Sequence, residues 1–93
     1  MDCEAKVANG VDVNDAVVRL KAALPAIKNV LKEPAPEVEI SKFTAEGPLL
    51  TVRGYCHTDN YWQVYFDINK MIAHEFGAAG YPVPETPQVQ RQL

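Results

Sequence analysis

The chain has 93 residues, 47% of them hydrophobic and 23% charged, with a formal net charge of −3 and two cysteines. A chain of this length forms one domain with a modest core, and its acidic balance argues against the basic patch that nucleic-acid binders carry. No apolar run approaches the roughly 20 residues that span a bilayer, Met1-Asp2-Cys3-Glu4 has no signal-peptide character, and Cys3 and Cys56 stand in no metal-ligand spacing.

Residues 3–8 alternate weakly, with Cys3, Ala5 and Val7 on one side, and read as a short strand ended by the turn dipeptide Asn9-Gly10. Asp12 is placed to cap the helix that follows, with Asp15 in its first turn. Val13, Val17, Leu20, Leu24 and Ile27 recur at helical spacing. Pro25 cannot continue the hydrogen-bond ladder, so the helix is expected to stop or tighten near Leu24. Pro34-Ala35-Pro36 then favours extended backbone.

Glu37–Phe43 and Leu49–His57 read as two strands joined at Glu46-Gly47-Pro48. Val38 and Ile40 share one face of the first. Leu50, Val52, Gly54 and Cys56 share one face of the second, with Arg53 and Tyr55 on the other. Burying both apolar sets requires an even pairing sum and an odd loop. Ile40 opposite Val52, with a loop of about five residues, satisfies this and sets Glu39 opposite Arg53 on the outer face. Cys3 and Cys56 are expected to face the core near one another, because the first and third strands are antiparallel neighbours.

The second helix has Thr58 or Asp59 as its expected cap and runs to about Ala79, where Gly80 supplies a left-handed stop before Pro82. Tyr61, Val64, Tyr65, Ile68, Met71, Ile72 and Phe76 form its apolar stripe, and Gln63, Asp67, Lys70 and His74 its polar face. Trp62 and Phe66 fit neither set. At about 100° per residue they fall beside the stripe, together with Ala73. They either wrap over the rim of the core or form a contact surface for another chain, where aromatic residues are enriched.

Beyond Gly80, Pro82, Pro84 and Pro87 keep the backbone extended, and Gln88–Leu93 alternates like a thin strand with only Val89 and Leu93 apolar. Two such side chains cannot anchor a strand. The segment is expected to order only against partner chains, or alternatively to dock beside the first strand as a fourth. The order is thus β-α-β-β-α, an α+β, ferredoxin-like split fold over residues 1–84. A tail over 85–93 follows it, whose strand can leave the domain.

The activities this plan commonly hosts each need residues of their own. A metal chaperone needs a Cys-x-x-Cys loop and an acyl-phosphate hydrolase an arginine cradle where this chain has Asn9-Gly10-Val11-Asp12. Cys56, His57 and Asp59 lie close in sequence, but strand alternation sends Cys56 and His57 to opposite sides, against the needs of a metal site. Arg53-Gly54-Tyr55 begins like the base-stacking strand of an RNA-recognition motif but continues as Cys56-His57-Thr58. No nucleophile–base pair stands in credible context. The chain is read as no enzyme, without cofactor or metal.

Two motifs carry a family resemblance. Pro34-Ala35-Pro36-Glu37-Val38 resembles the "(D/E)PAPEV" entry to the middle strands of MscS-type mechanosensitive channels. Thr58-Asp59-Asn60-Tyr61-Trp62-Gln63-Val64-Tyr65-Phe66-Asp67 resembles the "T-x-D-Y-W-x-V-x-x-D" opening of the second helix in their cytoplasmic C-terminal α+β domain, with the acid here at Asp59. The end is similar in outline to the family's Gly, "IPFPQ" stretch and final strand, although Glu85-Thr86 replaces the apolar residue between prolines.

The resemblance implies a homoheptamer, held on the cytoplasmic side of the bacterial inner membrane by segments this chain lacks. In such channels these domains form a solute-filtering cage below a tension-gated pore, and the last strands close a small barrel. On that expectation Trp62, Phe66, Val89 and Leu93 are the candidate subunit-interface residues, and the partners are copies of the chain itself. The other reading is a free-standing ferredoxin-like domain that binds a small ligand, a partner protein or RNA.

Overall fold

Residues 1–85 are described by the computed structural model of the chain. β1 (Asp2–Lys6), α1 (Val13–Ala23), β2 (Glu37–Thr44), β3 (Gly47–Arg53) and α2 (Tyr61–Ala79) follow in that order. The strands form an antiparallel sheet in the order β1-β3-β2, so the fold is the expected α+β, split βαββα arrangement. Cys3, Ala5, Val38, Leu50 and Val52 of the sheet share one core with Ala16 and Leu20 of α1 and with Val64, Ile68 and Ile72 of α2. Both helices therefore cover the same sheet face, α2 over β1 and α1 over β2.

Local chemistry sets the element ends. The Asp12 carboxylate accepts from the Asn14 backbone N–H at 3.0 Å and caps α1. Pro25 lacks the N–H that α1 would need, and the chain tightens into a 3₁₀ turn over Leu24–Ala26. At the far end Gly80 takes φ 73°, and the Tyr81 N–H reaches back to the Phe76 carbonyl at 3.1 Å, a glycine-terminated helix end. The start of α2 differs from expectation: neither Thr58 nor Asp59 caps it. A 3₁₀ turn over Thr58–Asn60 leads in instead, with the Asn60 N–H bonded to the His57 carbonyl at 2.9 Å.

The β2–β3 register also differs from expectation. Val38 pairs with Val52, Ile40 with Leu50, and Glu37 rather than Glu39 with Arg53. A β-bulge between Ile40 and Lys42 is the cause. Its extra residue, Ser41, converts even pairing sums into odd ones, so the hairpin closes through a two-residue turn at Ala45-Glu46. The Ser41 hydroxyl donates to the Leu49 carbonyl at 2.9 Å. β3 ends at Arg53, not His57: the Tyr55 carbonyl accepts from the Leu31 N–H at 2.8 Å in the loop beyond. Cys3 is buried opposite Val52. Cys56 lies past the strand end, is only partly buried, and both thiols are free.

Candidate functional site

The buried line of α2 runs through Val64, Ile68 and Ile72. At about 100° per residue, Tyr65, Asn69, Trp62, Ala73 and Phe66 lie progressively further round one flank. Met71, Asp67, His74, Gln63 and Lys70 lie round the other. The structure gives these flanks different neighbours. Tyr65 and Asn69 border Asp2, Cys3 and Glu4 of β1, which is an edge strand among the described residues. Asp67, Lys70, Met71 and His74 instead border Ala23, Ala26, Ile27 and Lys28, across an open groove of about 450 Å³.

The polar flank is fastened down. Gln63 Nε2 donates to the Lys28 carbonyl at 3.0 Å and to Asp67 Oδ2 at 2.6 Å, and its Oε1 accepts from Asn29 Nδ2 at 2.8 Å. These bonds tie α2 to the loop after the 3₁₀ turn. Among the described residues no such side-chain bonds cover the aromatic flank. Trp62 is 64% exposed and Phe66 57%. They stack on each other with centroids 6.0 Å apart, and Trp62 meets Tyr61 and Tyr65 edge-on at 5.2 and 5.8 Å. The result is one continuous aromatic surface on α2, whose Tyr65 end borders β1. Trp62 and Phe66 thus stand together, while Val89 and Leu93 lie outside the described residues.

A second apolar surface escaped the sequence reading. Ile40 is 39% exposed and Phe43 75%. Ile40 pairs with Leu50 and Phe43 with Pro48, two residues apart on β3, so both point to the helix-bearing side of the sheet. There the bulge carries Phe43 across to the side of Ile40. Strict alternation gives no sign of this, and only the Gly47-Pro48 dipeptide, unusual inside a strand, hinted at an altered hairpin.

His57 and Asp59 are exposed and Cys56 half-buried. Among the described residues no group of three His, Cys, Asp or Glu side chains could hold a metal ion. Burial pushes the Cys3 thiol up, away from its reactive thiolate form. No helix among the described residues is long and apolar enough to cross a membrane.

The family model described as the C-terminal region of the mechanosensitive ion channel MscS matches residues 2–82, which is most of the chain and contains every element described above. No curated protein matches the chain significantly.

Proposed function

We propose that this chain, which belongs to the MscS C-terminal domain family, works as the cytoplasmic vestibule domain of a mechanosensitive channel, where it joins copies of itself into the solute-filtering cage below the pore. The observation that carries this reading is the Trp62–Phe66 surface on α2, exposed in the single chain and built of residues enriched at interfaces. Burying a large apolar side chain is worth about 1.5–3 kcal/mol, whereas association costs about 4–15 kcal/mol in lost freedom. A patch of this size holds copies together weakly on its own. Its natural setting is one in which other segments already gather the copies and raise their effective concentration.

Val89 and Leu93 enter the same proposal as the apolar positions of a closing strand, and residues 85–93 as a tail that leaves the domain of residues 1–84. The matched span stops at residue 82, short of that tail. A closed barrel would give so thin a strand neighbours on both edges. On this reading the chain performs no catalysis.

Sedimentation equilibrium of the chain over a concentration series, beside a Trp62→Ala/Phe66→Ala variant, tests the self-contact. The wild type is expected to associate as concentration rises, and the variant to do so at least tenfold more weakly. Equal association of the two would contradict the assignment.

A further inference from the structure

β1 has one strand neighbour, β3, and presents its other side as an open edge among the described residues. The alternation of the ladder fixes which groups stand there. Cys3 lies opposite Val52 and Ala5 opposite Leu50. The Met1 carbonyl accepts from the Gly54 N–H at 3.1 Å, and the Val7 N–H donates to the Pro48 carbonyl at 2.9 Å. The odd residues of β1 thus bond to β3, and the backbone N–H and C=O groups of Asp2, Glu4 and Lys6 turn to the open edge.

The chain itself returns to this edge. The Tyr81 hydroxyl bonds to Asp15. Pro82, Val83 and Glu85 then border Ala8 and Asn9, just past the end of β1, and Glu46 of the hairpin turn. Eight residues, Thr86 to Leu93, follow in the sequence. A strand that starts beside Asn9 and runs back along β1 is antiparallel to it. Gln88–Leu93 supplies six residues against the five of β1, and Pro87, with no N–H to donate, falls before the first pairing position.

We propose that Gln88–Leu93 of the same chain covers the open edge of β1 as a fourth, antiparallel strand when the domain stands alone. Its apolar side chains set the parity. Val89, Arg91 and Leu93 fall on the helix-bearing side with Cys3 and Ala5, and Gln88, Gln90 and Gln92 exchange backbone bonds with Asp2, Glu4 and Lys6. Tyr65 of α2 borders this stretch of β1 and gives that side an aromatic neighbour for Val89, Leu93 and the Arg91 guanidinium.

Two apolar side chains do not hold such a strand alone. The backbone ladder adds its bonds, and the short connection from Glu85 keeps the entropy of closure small. The cover also protects β1 of the single chain from stray pairing with other sheets, and it is shallow enough to be given up. In an assembled channel the same strand leaves for the closing barrel, so docking and assembly compete for it. The docked state involves neither Trp62 nor Phe66 and stands or falls apart from their self-contact.

Amide exchange followed by NMR at residue resolution tests this on the dilute wild-type chain and on Gln90→Pro, which removes a backbone donor from the middle of the strand. The Glu4 and Lys6 N–H groups are expected to exchange roughly fivefold faster or more in the variant. The Cys3 and Ala5 N–H groups, bonded to β3, should keep their rates and report an intact sheet. Further dilution of the wild type should leave the Glu4 and Lys6 rates unchanged. Equal Glu4 and Lys6 rates in the two chains would overturn the fourth strand. Protection that fades on dilution would mean that another copy supplies the strand, and would overturn docking within one chain.

Discussion

Gly47 lies directly against Val7: a Cβ built on Gly47 would fall 1.8 Å from the Val7 carbonyl oxygen. Gly47 also takes φ 139°, a conformation that L residues rarely adopt. The hairpin turn and the end of β1 meet at this point, where the Val7 N–H bonds to the Pro48 carbonyl at 2.9 Å and Lys6 pairs with Glu46. Gly47→Ala must move backbone, not a flexible side chain. It is expected to destabilise the fold by about 3 kcal/mol or more, read from urea unfolding. A loss under about 1 kcal/mol would contradict the close approach.

Arg53, on the central strand, ties the outer face of all three strands together. Its Nε donates to Asp2 Oδ1 at 2.7 Å and its Nη1 to Glu37 Oε1 at 3.0 Å. The hydrogen bond from Arg53 holds the Asp2 carboxyl below the usual aspartate range. A carboxyl depressed in the folded state contributes stability above its unfolded pKa and loses it as pH falls through the folded value. Arg53→Met is therefore expected to lower Tm slightly at neutral pH and to flatten the acid limb of the Tm–pH curve. The groups are solvent-exposed, so the difference should shrink in high salt. A difference unchanged by both acid and salt would assign Arg53 a packing role only.

The end of α2 is clasped to the start of α1. The Tyr81 hydroxyl donates to Asp15 Oδ2, which also accepts from Arg19 Nε at 3.1 Å, and the Tyr81 ring meets Phe76 with centroids 5.2 Å apart. Desolvation, and then the bond to Asp15, push the Tyr81 phenol up. A phenol raised in the folded state contributes stability below its unfolded pKa and loses it as pH climbs towards the folded value. Tyr81→Phe should remove that alkaline decline, which denaturant unfolding across the alkaline range would reveal. The same clasp aims the proline segment after Gly80, so amide exchange at Tyr81 and Val83 should quicken in the variant. Unchanged exchange would show that Pro82 and Pro84 alone set the path.

Much of this fold was legible because single residues with strong local chemistry mark its joints. Asp12, Pro25 and Gly80 each did what their side chains or backbone freedom dictate. The hairpin register was not legible, because one bulged residue at Ser41 reverses every parity beyond it and alternation alone cannot locate a bulge. The same event hid Phe43 as an exposed partner of Ile40. Thr58 and Asp59 looked like caps by type, yet a backbone turn took that role. Trp62 and Phe66 were visible as residues off the apolar stripe of α2. Their exposure was not, since the same angular position could have rested on the rim of the core.

The central claim is that this domain assembles below a tension-gated pore through the α2 aromatic flank. Its most direct test is pressure-clamp recording from membrane patches that carry an MscS-type channel whose own C-terminal domain is replaced by this chain. The replacement is expected to yield channels that open under suction. A Trp62→Ala/Phe66→Ala version should reach the membrane in equal amount yet give fewer assembled, active channels. If the aromatic variant matched the unaltered chain in channel number and opening pressure, or if the unaltered chain supported no channels, the account would be contradicted.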